Sequence, residues 1–164
     1  MPIDTKQART LETFSTMPGH LIRRVYQVAT ALFAQECGDV DLTPVQYAAL
    51  VAIQAHPRID ATRLSQVIYF DRSTIGDVLD RLEAKKWVQR QSCSDDRRIK
   101  LLTIAPAGRD VLRRVEPCVR RVQQRLLRPL STKDGETLVR LLAQLADEHD
   151  DVLPFWAAAE GTRK

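Results

Sequence analysis

Asp71-Arg72-Ser73-Thr74-Ile75-Gly76-Asp77-Val78-Leu79-Asp80-Arg81-Leu82-Glu83-Ala84-Lys85 is the stretch that decides the fold. Ile75, Val78, Leu79 and Leu82 recur at the three- and four-residue spacing of one helix face, and Asp71 is a good N-cap before them. The opposite face offers Arg72, Ser73, Thr74, Gly76, Asp77, Arg81 and Lys85. A short helix is expected upstream, after Asp60 and through Leu64, Val67 and Ile68, with a tight turn at Tyr69-Phe70. Two short helices joined this way, the second polar and basic outside, form a helix-turn-helix.

Downstream, Trp87 to Gln91 and Ile99 to Ile104 have strand-like composition around a turn-rich tip, Ser92-Cys93-Ser94-Asp95-Asp96-Arg97-Arg98. A hairpin directly after the second helix is a wing. Pro106 then opens a long helix with Val111, Val115, Cys118, Val119, Val122 and Leu126 inside and a kink expected at Pro117. A last helix starts at Ser131, with Asp134 in the capping-box position, and is expected to bury Leu138, Leu141, Leu142 and Leu145. Upstream, residues 1–17 read as a loose arm. A helix follows from Pro18, with Leu21, Val25, Val28, Ala29, Leu32 and Phe33 on one face, and closes at Cys37-Gly38 in a left-handed cap. Thr43, Pro44 and Gln46 open the next, which carries Tyr47, Leu50 and Val51 towards His56-Pro57.

The expected fold class is mainly α with a small β-hairpin wing. Residues 41–105 would form the winged helix-turn-helix, and residues 18–40 and 106–164 dimerisation helices. These end segments carry wide apolar stripes that cannot be buried around a small winged core, so packing together and against a second subunit is the economical solution.

Composition narrows the function. The 164 residues carry a net charge of +4, unevenly spread: residues 71–128 hold fifteen basic side chains against eight acidic, whereas residues 1–70 balance. Nineteen of the 25 basic residues are arginine, suited to forked contacts with phosphate and guanine. The longest apolar run, Tyr47 to Ile53, is too short for a membrane span, which needs about 20 residues. No signal sequence opens the chain, and a cytoplasmic location is expected. Cys37, Cys93 and Cys118 are an odd number with neither close pairing nor ligand spacing in the sequence. No nucleophile elbow, phosphate loop or His-Glu-x-x-His motif occurs, and His20, His56 and His149 lie far apart, so neither an enzyme nor a cofactor is expected.

From about Pro18 to Leu145 the chain resembles the MarR family of bacterial transcriptional regulators. The resemblance rests on Asp71-Arg72-Ser73-Thr74-Ile75, Val78, Asp80-Arg81-Leu82-Glu83 and Lys85, then Asp96-Arg97-Arg98, Ala107-Gly108 and Leu42-Thr43-Pro44-x-Gln46. Two positions depart from the family pattern. Lys86 stands where glycine is usual, and Ile104-Ala105 replaces the usual Leu-Thr pair, so Ala105 offers no side-chain cap.

The resemblance implies a dimer on double-stranded DNA, with an inverted repeat whose half-sites lie about 10 base pairs apart. Arg72, Ser73, Thr74, Asp77 and Arg81 would face the major groove. Ser73 and Thr74 can bond bases or phosphates, or simply cap the helix. Asp77 can accept from cytosine or steer a neighbouring arginine, and Gly76 admits either close DNA approach or tight helix packing. Arg98 at the wing tip would enter an A·T-rich minor groove, with Asp96 orienting it or bracing the turn. Arg90 and Arg97 would meet phosphates, while the arginines from Arg109 to Arg128 read as a solvated or interface face.

The family also commonly binds small aromatic acids. The segments Gly19 to Arg24 and Thr43 to Ala48 are similar to regulators of nicotinate and related aromatic-acid catabolism. That implies an aromatic or pyridine carboxylic acid effector, such as a hydroxynicotinate, with His20, Arg23, Arg24, Tyr26, Tyr47 and Tyr69 as candidate contacts. Two other sensing chemistries have weaker grounds: a thiol at Cys93, away from the family's peroxide-sensing position, and a metal at Glu148-His149-Asp150-Asp151.

Overall fold

The computed structural model describes residues 12–94, 96 and 98–148. From Pro18 on, the elements follow one another as α1 (Pro18–Cys37), α2 (Pro44–Ala55), β1 (Ile59–Asp60), α3 (Ala61–Val67), α4 (Arg72–Ala84), β2 (Val88–Ser92), β3 (Lys100–Ile104), α5 (Pro106–Leu127) and α6 (Thr132–Glu148). Inside the expected arm, residues 12–15 are helical, and the Phe14 ring lies 4.4 Å from that of His20. Residues 1–11 lie outside the described residues.

Local chemistry places most boundaries. The Thr43 hydroxyl accepts from the Gln46 N–H at 3.3 Å, and the Gln46 side chain accepts from the Thr43 N–H at 3.2 Å, a reciprocal capping box. Asp60 caps α3 through the Arg63 N–H, and Ser131 caps α6 through the Asp134 N–H. The expected left-handed cap at Gly38 is corrected: its φ of −61° is right-handed, and Cys37 simply closes the helix. Lys86 does take the left-handed conformation, with φ 57°. The Trp87 N–H donates to the Leu82 carbonyl and the Lys86 N–H to that of Glu83, the paired bonds of a Schellman closure that ordinarily uses glycine. A side chain at that φ costs on the order of 1 kcal/mol.

The sheet has one strand more than the sequence suggests. β1 pairs antiparallel with β3, Ile59 opposite Leu102, while β2 pairs along the other edge from Val88 opposite Ile104 to Ser92 opposite Lys100. Two residues carry no period to read, so β1 exists only because β3 offers it an edge. Leu50, Ile53, Leu64, Ile75, Leu82, Val88, Leu102 and Val115 are fully buried and join the winged module to α5 in one core. Helix α5 continues across Pro117, which lies on the exposed face, where water can satisfy the carbonyl its missing N–H leaves free.

Leu138, Leu141, Leu142 and Leu145 are exposed in the protomer, as are Leu21, Val25 and Val28 of α1, so their expected burial is left to the second subunit that the stripes call for.

Candidate nucleic-acid interface

Helices α3 and α4 meet through the turn at Ile68 to Asp71, where Tyr69 takes a left-handed φ of 56°. The α4 cap does more than start the helix. The Asp71 carboxylate accepts from the Thr74 N–H at 2.9 Å, from the Thr74 hydroxyl at 2.6 Å and from the Ser73 hydroxyl. Those bonds, the Ser73 hydroxyl first and the Thr74 hydroxyl next, hold the Asp71 carboxyl far below the ordinary carboxylate range. With their protons directed to Asp71, the Ser73 and Thr74 hydroxyls keep only acceptor lone pairs for any further partner.

Arg72, Ser73, Gly76, Asp77 and Arg81 are exposed along α4, and Thr74 is half-buried. The Arg72 guanidinium donates to the Thr62 hydroxyl and so clips α4 to α3. No ion pair joins Asp77 to Arg81 among the described residues, so the carboxylate stays available to an outside donor. A Cβ at Gly76 would meet no atom within 4 Å. Tight packing inside the protomer is therefore not why glycine stands there.

The wing behaves as a braced tip. Asp96 accepts from the Arg98 N–H at 2.9 Å, and the Asp96 carbonyl accepts from the Ile99 N–H at 3.0 Å. The guanidinium of Arg98 stays 3.8 Å from the same carboxylate, and its side chain is 95% exposed. Asp96 thus holds the turn and leaves the arginine side chain in solvent. Arg97 lies outside the described residues. Arg90 is placed differently from a free phosphate contact: its guanidinium pairs with Asp80 at 2.5 Å and Glu83 at 3.1 Å, tying β2 to α4. Between α4 and the wing lies a cleft of about 550 Å³, lined among others by Thr62, Arg72, Gly76, Arg90, Arg98 and Lys100.

The candidate effector residues do not form one group. Tyr26 and Tyr47 share a small cleft of about 170 Å³ with Phe33 and Val119. Tyr47 also borders a larger one of about 580 Å³ between α2 and α5, with Val51, Gln54, Arg109, Arg113 and Glu116. His20 packs on Phe14, while Arg23, Arg24 and Tyr69 are exposed and line neither cleft. No cluster of three or more metal-ligating side chains occurs among the described residues, and His149 to Asp151 lie outside them. Among the same residues, no helix is long and apolar enough to cross a membrane.

Residues 42–100 match the MarR family model. A probable transcriptional regulator from Pseudomonas aeruginosa superposes with a TM-score of 0.76 at 35% identity, covering 80% of this chain and 98% of that one. The chain belongs to the MarR family. Its members are DNA-binding transcriptional regulators rather than enzymes. Bordetella bronchiseptica BpsR, described as regulated in its DNA binding by 6-hydroxynicotinic acid, superposes with a TM-score of 0.77 at 30% identity, covering 82% of this chain and 96% of BpsR. The transcriptional repressor NicR of Pseudomonas putida is 29% identical over 133 residues, 81% of this chain and 84% of NicR.

Within this MarR-family frame, sequence reasoning missed Thr62 as the anchor of Arg72, and Arg109 and Arg113 as cleft residues. The two arginines were legible only as part of a basic run. Their common wall with Tyr47 arises because α2 packs across the start of α5.

Proposed function

We propose that this chain is a homodimeric repressor that reads an inverted-repeat operator with α4 and the wing, and that a small aromatic or pyridine carboxylic acid releases it. The observation that carries the DNA reading is Gly76. Glycine in a helix interior costs about 1 kcal/mol against alanine, and no atom of the protomer requires it. An occupant from outside, pressed against the backbone, supplies the reason. Around it stand the exposed Arg72, Ser73, Asp77 and Arg81, with Arg98 reaching from the wing.

Two uncovered apolar stripes support the dimer. Leu21, Val25 and Val28 on α1, and Leu138, Leu141, Leu142 and Leu145 on α6, are exposed in one protomer, and a second copy would bury both sets. In this reading residues 18–40 and 106–164 form the dimer body, and residues 41–105 the DNA-binding module. For the effector, the cleft of about 580 Å³ has the size of a small-ligand site, with Tyr47 and Val51 as walls and Arg109 and Arg113 as cations for a carboxylate. BpsR and its 6-hydroxynicotinic acid make a hydroxylated pyridine carboxylate the first compound to try.

The test is fluorescence anisotropy with a labelled duplex from upstream of the protein's own gene, followed by a panel of aromatic and pyridine carboxylic acids. Tight binding that weakens steeply with salt and is reversed by one acid is expected. Arg109→Gln with Arg113→Gln should raise the acid concentration needed by roughly tenfold, the scale of one charge-assisted hydrogen bond, with DNA affinity unchanged when no acid is present. Reversal at the wild-type concentration would move the acid out of this cleft.

Gly76→Ala checks the DNA face itself. It should raise the melting temperature by about 2–4 °C, the scale of 1 kcal/mol in a chain of this size, while lowering operator affinity. A variant that melts higher and binds equally well would remove close backbone approach from the reading.

A further inference from the structure

Four carboxylates lie on α4 or at its cap, and three of them are held. Asp71 accepts from the Ser73 and Thr74 hydroxyls and from the Thr74 N–H. Asp80 and Glu83 both pair with the Arg90 guanidinium. Asp77 is exposed on the outward face and has no hydrogen bond or ion pair among the described residues. Its neighbours along the helix supply none: the Ser73 hydroxyl, one turn before, donates to Asp71, and the Arg72 guanidinium donates to Thr62. Immediately before Asp77 stands Gly76, where a Cβ would meet no atom within 4 Å.

An unpartnered carboxylate on a face turned to DNA is constrained in what it can meet. The duplex carries one negative charge for about every 1.7 Å of its axis, so the phosphates repel it. In the major groove guanine offers the acceptors N7 and O6, and thymine offers the acceptor O4 and a methyl group. Only the amino groups of cytosine and adenine donate there. Adenine sets its amino group beside the N7 acceptor, whereas cytosine shows a donor alone, and a single carboxylate therefore fits cytosine best. Aspartate is also a short side chain. Reaching a base edge from it takes close approach of the helix backbone, which Gly76 at the preceding position permits.

We propose, on the reading above that α4 lies in the major groove, that Asp77 is a specificity-determining residue of the operator contact. In each half-site it accepts from the N4 amino group of one cytosine. Discrimination comes from the penalty as much as from the bond: a base without that donor leaves the carboxylate against acceptor atoms and near the phosphates. Asp77 thus lowers affinity for duplex DNA at large and spares the sites that carry the cytosine. Its removal acts with opposite signs on cognate and non-cognate DNA, which a merely solvated carboxylate would not do.

The experiment selects from a library of duplexes with about 30 random base pairs, room for two half-sites about 10 base pairs apart. Full-length wild type, Asp77→Ala and Asp77→Asn are each taken through it, and the enriched sequences are read. The wild type should enrich an inverted repeat with cytosine at one position of each half-site, favoured about tenfold over the other bases, the scale of one good base contact. Asp77→Ala should flatten the preference at that position alone, and Asp77→Asn should move it to adenine, whose N6 and N7 suit an amide. Anisotropy then compares the selected duplex with one in which thymine replaces those cytosines. Asp77→Ala should bind the first at least tenfold more weakly and the second several-fold more tightly than wild type does. Alanine is the better helix former at this exposed position, so a melting temperature at or above wild type keeps folding out of the comparison. An inverted repeat enriched identically by wild type and Asp77→Ala would overturn the role of Asp77 while leaving α4 in the groove. An equal gain on both duplexes would overturn it too, reducing Asp77 to a general repulsive charge. A wild type that enriches no inverted repeat would overturn the DNA reading along with it.

Discussion

Arg98→Ala is expected to weaken binding to an A·T-flanked operator by roughly 10- to 100-fold, with a smaller loss on a G·C-flanked one. The side chain is 95% exposed and lies 3.8 Å from the Asp96 carboxylate, so folding is indifferent to it. The bond that organises the tip runs from the Arg98 backbone N–H to Asp96, and alanine retains it. A narrow A·T minor groove concentrates negative potential, and an arginine inserted there gains what a broad groove does not offer. A 10- to 100-fold loss is about 1.4–2.8 kcal/mol, or roughly 0.7–1.4 kcal/mol at each of two wings, the scale of one net hydrogen bond. Anisotropy titrations at moderate salt on paired A·T- and G·C-flanked duplexes give the measurement, with thermal melts of the variant alongside. An unchanged affinity would remove the minor-groove role. An equal loss on both duplexes would reduce Arg98 to a phosphate contact.

The α4 face was readable in the sequence because a recognition helix is a local object. Its cap, apolar stripe and outward residues all fall within fifteen consecutive positions, and Asp71, Ile75, Val78, Leu79 and Leu82 take the places that periodicity assigns them. What each polar group is doing was less legible. Ser73 and Thr74 donate to Asp71, and Arg90 is held by Asp80 and Glu83. The first follows from geometry two or three residues away. The second depends on β2 folding back along α4, which no window of sequence displays. The effector candidates suffered most for the same reason. Tyr47 lines a cleft with Arg109 and Arg113, from opposite sides of the winged module in sequence, while His20 instead packs on Phe14.

For the fold, the helices followed from their periodicity and caps, and the differences have physical causes. Strand β1 is two residues long and owes its existence to β3. Gly38 is right-handed because the turn after α1 continues in the helical sense rather than reversing. The leucines of α6 show the limit of amphipathicity as evidence: a 3.6-residue period says that a face will be buried, but not by which chain.

Gly108→Ala is expected to destabilise the protein by about 1–3 kcal/mol, lowering its melting temperature by roughly 3–10 °C. Gly108 lies in the first turn of α5, where the helix crosses the exit of α4 into β2. A Cβ there would come within 2.9 Å of Ile104 Cγ1 and closer still to the Trp87 carbonyl oxygen. Ile104 can turn its side chain, but the Trp87 carbonyl is backbone and already accepts from the Ala105 N–H at 2.9 Å. Relieving the clash means moving α5 off the sheet, and that bond lengthens as it moves. It is a costly one to disturb, because Ala105 caps α5 with no side-chain oxygen and the helix start has few other anchors. The gain in helix propensity from alanine, about 1 kcal/mol, offsets only part of this. The same exchange at Gly76 meets open space and should stabilise. Thermal melts of the two variants, followed by circular dichroism, therefore bear opposite signs. A Gly108→Ala melt equal to or above wild type would mean that α5 can pivot freely against β2. The dimer body would then couple only loosely to the winged module, and an effector bound between α2 and α5 would have little leverage on the spacing of the recognition helices.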